Sequence, residues 1–492
     1  MKCFEDPAKH GSNYGGGKKK LYQFAGAGVG NCAVVYWPLQ IKLYGTRKEV
    51  AMLPDYLAKA VPNPPGKRAP WYANTAPSYA GIFLWVAFYK AMAGATLAHG
   101  GLGLCLLALL IAGVLCYAFY YRVPAMLGMQ TGYPLYVVGS STFGTAGGYV
   151  MPGLLMGLLQ IGWFAVATFV AADFILKGIH VDSAPGTVSF IVTGAIWGLA
   201  LSWVGAKGIQ YVAKISTFLN FIPLLMLLIV VFQTAGGVAR YQVPAGQENS
   251  FVAFTAVIAI VIGFFATAGA AGADFGMNSR NETDVKWGGW VGITLAVMIA
   301  GGLPLIAVAG AHGMNPSLGW DYADVIQGIG GPIASVMFLL FAIASVPPTC
   351  FCAFIAGNSF NTMIPSVPRV ASTMAGAAVG IVLAVTGVAA NLISFFTIVG
   401  ASFGPICGAM AADYMLSGKR WSGPREGINF AGYGAWAIGF VVGILPFLPL
   451  PAGVKTYVEP AVLYSFITGF VVYFVLAKAG LQPKVVAMPK AA

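Results

Sequence analysis

Gly263-Phe-Phe265-Ala-Thr267-Ala-Gly269-Ala-Ala-Gly272-Ala-Asp274-Phe275 lies at the end of an apolar run that starts near residue 251. Glycines at this spacing weaken a helix and let it open. A second interrupted run lies five apolar segments upstream: Phe83-Leu-Trp-Val-Ala-Phe-Tyr-Lys90-Ala-Met-Ala-Gly94-Ala-Thr96. Broken apolar helices at matching positions of two halves point to a carrier built from inverted repeats, with its site at the membrane midplane. Lys90 lies about ten residues from either end of its segment, too deep for its ammonium to reach an interface easily. An intramembrane ammonium is a functional residue by default.

The rest of the chain supports a membrane reading. Of 492 residues, 58% are hydrophobic and 9% charged, with a mean hydropathy of +0.78. A soluble protein carries roughly 25% charged residues, so a soluble single or paired domain is excluded. Apolar segments of about 20 residues each fall near 79–99, 101–121, 150–176, 187–206, 211–234, 251–272, 287–311, 333–357, 371–389, 391–415, 428–448 and 460–477. They are numbered spans 1 to 12 in chain order. The expected fold is an all-α integral membrane protein with about twelve helices, spans 1 and 6 being discontinuous.

Twelve spans place both termini on one side. With the N-terminus inside, 23 Lys/Arg fall inside and three outside, and Lys90 sits within a span. Without the first 78 residues the ratio is still 12 to 3. Both ends are therefore expected in the cytoplasm of a cell-membrane protein. The net charge of +12 then reports orientation and requires no nucleic-acid partner. Residues 1–78 read as a basic, partly disordered cytoplasmic tail, 79–477 as the transporter domain and 478–492 as a C-terminal tail. The first 51 residues carry a second reading, an upstream extension of a chain whose translation starts at Met52. Residues 24–39, behind Lys18-Lys19-Lys20, have a faint signal-peptide character but are short for a span.

Enzyme motifs are nearly absent. Four scattered His have no partner at metal-ligand spacing, Gly26-Ala-Gly28-Val-Gly30 lacks the third dinucleotide-binding glycine, and Cys350-Phe-Cys352 reads as small core residues. The expectation is no enzyme and no cofactor. In span 3, Gln160 and Trp163 are three apart and share a helix face. An amide beside a broad aromatic plate suits a flat heterocycle with hydrogen-bonding edges. Phe265 is placed as the opposite plate. In span 8, Pro347-Pro348 remove backbone donors and free carbonyls near Ala344. These carbonyls would accept a cation or Lys90. Asp173 and Asp413 lie near predicted span ends and read as interfacial carboxylates.

Four stretches in this order carry a resemblance. They are Arg68-Ala-Pro-Trp-Tyr-Ala-Asn-Thr-Ala-Pro-Ser-Tyr79, Gln160-Ile-Gly-Trp163-Phe164, the run from Gly263 to Phe275, and Gly404-Pro-Ile-Cys-Gly-Ala-Met-Ala-Ala-Asp413-Tyr414. The chain resembles the nucleobase–cation symporters, the cytosine, purine and hydantoin permeases, from about residue 66 to the end of span 12. The resemblance implies a leucine-transporter-type five-plus-five inverted repeat. It also implies import of a nucleobase or related heterocycle (cytosine, purine, uracil, hydantoin or allantoin type) with H+ or Na+. Trp163 and Phe265 would sandwich the ring, Gln160 would bind its edge, and Thr267, Gly263, Gly269 and Thr349 would supply further contacts. An amino-acid or other small-solute symporter on the same fold is the alternative.

Two departures bear on mechanism. Pro347 and Pro348 stand where sodium-coupled members carry hydroxyl residues, with Lys90 expected opposite them. Lys90 protonation would then replace sodium, so proton coupling is favoured, with Lys90 and Ala344 as the coupling positions. Thr349-Cys350 stand where cytosine-type members carry an Asn/Asp pair, which leaves the ring among cytosine, purine, uracil and hydantoin types open. Oligomeric state is left open.

Overall fold

The computed structural model describes residues 53–488; the side chains of 208–218 and of 452 are outside the description. The expectations for residues 1–51, the tail, the signal-like run and the start at Met52, lie outside the described residues, apart from the tail's last stretch. Among the described residues every regular element is helical, and the β pairing is two isolated bridges, Ala69 with Ser279 and Arg425 with Val485. Among the described residues nine helices are long and apolar enough to cross a membrane by length and composition: Leu102–Thr131, Gly147–Gly178, Val188–Lys207, Phe221–Arg240, Ser250–Ala270, Glu282–Met314, Gly331–Met363, Leu392–Leu416 and Ala461–Lys478. Two shorter apolar helices, Arg369–Val385 and Phe430–Gly443, occupy the places of spans 9 and 11. Span 1 is present in pieces.

Span 1 breaks as expected but at a defined place. Its first helix is Thr75–Phe83. Trp85 then takes extended dihedrals, φ −68° and ψ 129°, before one tight turn over Val86–Phe88 and a short helix Met92–Thr96. Span 6 differs from expectation. The helix Ser250–Ala270 runs unbroken through Gly263 and Gly269, and it yields at Ala271 before the short helix Gly272–Gly276. The glycines serve close packing. A Cβ on Gly263 would lie 2.6 Å from the Phe396 carbonyl oxygen, and one on Gly269 would lie 2.6 Å from Tyr120 Cβ. A glycine costs about 1 kcal/mol in a helix interior, and the backbone approach it permits here offsets that cost.

Span 8 shows the milder of the two effects expected of its prolines, a kink or unwinding. It kinks at Ser345, between helices Gly331–Ala344 and Val346–Met363, and does not unwind. Pro347 and Pro348 fall in the first turn of the second helix, where backbone N–H groups have no helical partner in any case. Ser345 N–H bonds back to Phe341 O and Ala342 O at 3.2 and 3.0 Å. Spans 9 and 10 are parted by Gly387 at φ 80°.

Loops gather at two ends of the bundle. At one end Ala69 N–H donates to Asn278 O, Arg68 Nη1 to Met129 O and Arg425 Nη1 to Pro483 O. Residues 53–78 therefore pack onto the bundle, and the last stretch of the expected tail is folded chain. The C-terminal stretch does so too, with Val486 N–H on Pro424 O. At the opposite end Asn249 N–H donates to His99 O, Gly186 N–H to Val385 O and Tyr322 N–H to Lys90 O.

At the first end Asp413 is buried and paired. It accepts from Ser141 Oγ at 2.7 Å, Tyr473 OH at 2.9 Å and Arg425 Nη2 at 3.2 Å. Removing one partner of a buried pair costs about 3–5 kcal/mol. Asp413→Ala is expected to lower the melting temperature by several degrees while leaving ligand affinity within about twofold. Thermal unfolding and ligand titration of the purified variant check both.

Candidate functional site

The broken span 1 places two groups of side chains. The first is aromatic and centres on Trp163. Span 3 carries Trp163 buried, with ring centroids at 5.8 Å from Trp85, 5.1 Å from Phe264, 4.9 Å from Phe395 and 5.5 Å from Phe396. Spans 1, 3, 6 and 10 thus meet at one indole. Trp163 Nε1 donates to Thr267 Oγ1 at 3.2 Å, which unites two residues expected in the site. Gln160 is buried one turn below, and among the described residues its Nε2 has only the Met156 sulfur at 3.7 Å. A buried amide so weakly committed is available to a ligand.

The structure does not bring Phe265 to Trp163. Phe265 stacks on Phe83 at 5.5 Å and 13° and lies 5.5 Å from Tyr79. Phe264 takes the position facing Trp163. Neighbouring residues on a helix point about 100° apart, so only one of two consecutive phenylalanines can face a given partner. The spacing decides between them only once the contact of Thr267 with Trp163 is known. Thr267 contacts Trp163, and Phe264, three residues earlier, shares its face. Thr349 is buried, and its Oγ1 donates to Ser345 O at 2.7 Å on its own helix. Gly263 and Gly269 contribute close packing, as above.

The second group is ionic. Lys90 is buried, and its Nζ donates to Asp173 Oδ2 at 3.1 Å and Asp321 Oδ2 at 2.8 Å. Its expected partners, the carbonyls near Ala344 and the Pro347-Pro348 site, are not the groups that satisfy it. Asp173 is buried, and it also pairs with Lys177 at 3.0 Å and accepts from Ser183 Oγ at 2.9 Å. Asp321 caps the helix Tyr322–Ile329, its Oδ1 accepting from Ala323 N–H at 2.9 Å, while Asp324 Oδ2 accepts from Asp321 N–H. Two ammonium groups meet two carboxylates, so the cluster is neutral, as burial requires. It joins the broken span 1, span 3 and the connection between spans 7 and 8. Asp321 was missed because nothing near it in the sequence is unusual for a loop.

A family model described as a permease for cytosine/purines, uracil, thiamine and allantoin matches residues 62–471. The chain belongs to this permease family. Among relatives of the permease, the cytosine permease of Escherichia coli (strain K12) is 25% identical over 353 residues, 68% of this chain and 77% of that one. A purine-uracil permease of Arabidopsis thaliana is 24% identical over 425 residues, 75% of this chain and 70% of that one. Among solved structures, the inward-facing conformation of Mhp1 has a TM-score of 0.67 at 16% identity, covering 87% of this chain and 95% of that one. Mhp1 in a closed conformation with bromovinylhydantoin bound has a TM-score of 0.63 at 18% identity, over 87% and 96%. The permease therefore shares the all-helical transporter fold of Mhp1 and is a multi-pass membrane protein of a nucleobase-transporting family.

Proposed function

We propose that the permease imports a nucleobase or related heterocycle across the cell membrane with a coupling cation, H+ favoured over Na+, and leaves its substrate chemically unchanged. The observation that carries this reading is the Trp163 group: a buried indole of span 3 ringed by aromatics from spans 1, 6 and 10, with Thr267 and the weakly committed Gln160 beside it. Ring faces recognise a flat heterocycle, and amide and hydroxyl groups read its edge. Trp163 is the plate in this arrangement, and Phe264, edge-on to it at 5.1 Å and 77°, bounds the ring from the side. Phe265, stacked on Phe83, backs the segment of span 1 that carries Trp85. Thr349, Gly263 and Gly269 shape the surrounding helices.

Transport proceeds by alternating access, one half of an inverted repeat rocking against the other about the site. The loop end that carries residues 53–74 faces the cytoplasm, in keeping with its excess of Lys and Arg. Lys90 is the coupling residue. Its proton is held between Asp173 and Asp321, so its loss would leave a buried and a half-buried carboxylate without their shared cation. Ala344 marks the position left for a sodium ion, beside prolines that offer it no hydroxyl.

The test is ligand-induced thermal stabilisation of the detergent-purified permease. Cytosine, uracil, adenine, hypoxanthine, allantoin and hydantoin are added singly, with and without sodium, at pH 5.5 and 7.5. A ring at 100 times its Kd stabilises by about 2.7 kcal/mol, a shift of several degrees. A response indifferent to sodium but sensitive to pH is expected. A sodium-dependent response overturns the coupling assignment, and silence from every ring with a response to amino acids overturns the substrate class.

A further inference from the structure

Trp85 is an unassigned tryptophan at the break of span 1. Its extended backbone ends the first helix, and its ring lies 5.8 Å from Trp163 and 6.3 Å from Phe264. Its Nε1 is buried and has no hydrogen-bond partner among the described residues. A buried indole N–H normally finds an acceptor, and one left without it carries the full cost of its desolvation. Such a group in a native structure calls for a cause.

The neighbouring polar groups supply the cause. Trp163 Nε1 is already committed to Thr267 Oγ1, so it has no proton to offer a ligand. Gln160 carries both an acceptor and donors, and rotation of its amide presents either one to a ring edge. Trp85 has no such choice. An indole nitrogen is a donor only, whatever its rotation or the pH. Of the polar side chains around the Trp163 ring, Trp85 is the one that can discriminate between an acceptor and a donor on the substrate.

We propose that Trp85 sets the specificity of the permease, its Nε1–H donating to an exocyclic carbonyl oxygen of a heterocycle held against Trp163. This deepens the functional reading above and rests on it. The preferred substrates are oxo rings, of the hypoxanthine, uracil and hydantoin kind. An amino group in place of the carbonyl sets donor against donor, and both stay unpaired in a buried site.

The experiment measures Kd for two matched pairs, hypoxanthine with adenine and uracil with cytosine, on the detergent-purified full chain and on Trp85→Phe. The wild-type protein is expected to bind the oxo member of at least one pair about 10-fold or more tightly over its amino partner. In Trp85→Phe the oxo ring loses about 10-fold and the preference falls below about threefold. The melting temperature of the ligand-free variant stays level or rises, since an unpaired buried donor has been removed. A purely structural Trp85 would show the opposite, with stability falling and selectivity unchanged.

A variant that keeps the oxo preference, or a wild-type protein that prefers the amino rings, overturns the assignment while leaving the transporter reading intact. Failure of all rings to bind the wild-type protein removes both. Should Trp85→Phe not fold, uracil is compared with 2-thiouracil and 4-thiouracil on the wild-type protein. Sulfur is the weaker acceptor, so one of the two thio rings is expected to bind about 10-fold less well; equal affinity of all three overturns the proposal.

Discussion

Lys90→Met is expected to abolish the pH dependence of uptake and to lower the stability of the permease by about 3 kcal/mol. The size follows from the groups left behind. Asp173 is buried and loses one of its two cations, keeping Lys177 at 3.0 Å and Ser183 at 2.9 Å. Asp321 loses its only ion pair among the described residues, but its side chain is 34% exposed, so water takes part of the load. The cost therefore lies at the low end of that for breaking a buried pair. The helix Tyr322–Ile329 is also released on one side, because Asp321 joins its capping box to Lys90. Pairing Lys90→Met with Asp173→Asn should recover part of the stability and none of the pH dependence. That separates the structural from the coupling role. The measurement is initial uptake of the heterocycle that first stabilises the protein, in proteoliposomes between pH 5.5 and 8, beside thermal unfolding of the same preparations. Uptake by Lys90→Met with an unaltered pH profile would end the coupling proposal.

Trp163→Ala should weaken substrate binding by about 100-fold and destabilise the fold by about 3–5 kcal/mol. Four rings from three other spans rest on this indole, and Thr267 Oγ1 takes its N–H. Trp163→Phe keeps most of the aromatic plate. It should cost about 1 kcal/mol in stability through the lost hydrogen bond and only a few-fold in affinity. Direct titration of both variants checks the gap between them; equal and small losses in affinity would remove Trp163 from the binding site.

The ionic cluster and the aromatic group meet at the same short stretch of span 1. Trp85 belongs to the aromatic group and Lys90, five residues on, to the ionic one. The segment between them contains one tight turn and no full helix. A change at either group is thereby passed to the other through a few residues whose backbone is not held by a helical ladder. This is a physical route by which proton and substrate binding would be linked.

Much of this was legible in the chain itself. Composition and apolar run length set the solvent, the helical class and the segment order, because a bilayer demands long apolar helices whatever their partners. Charge bias gave an orientation, and Trp163, Gln160, Thr267 and Lys90 stood out as residues whose chemistry is unusual in lipid. Partner choice was not legible. Whether Phe264 or Phe265 faces Trp163 depends on the rotation of span 6 about its axis, a 100° question that two adjacent identical residues cannot answer. Whether glycines open a helix or let a neighbour approach depends on what lies opposite, and at Gly263 it is the Phe396 carbonyl. Lys90 announced its need for counter-charges but not their source. Asp173 and Asp321 stand 83 and 231 residues away, and only the packing of spans 1 and 3 with the span 7–8 connection brings them within 3.1 Å. Local chemistry and run length are properties of a segment and can be read from it; contacts between segments are set by how whole helices turn and cross, and the tertiary structure alone decides them.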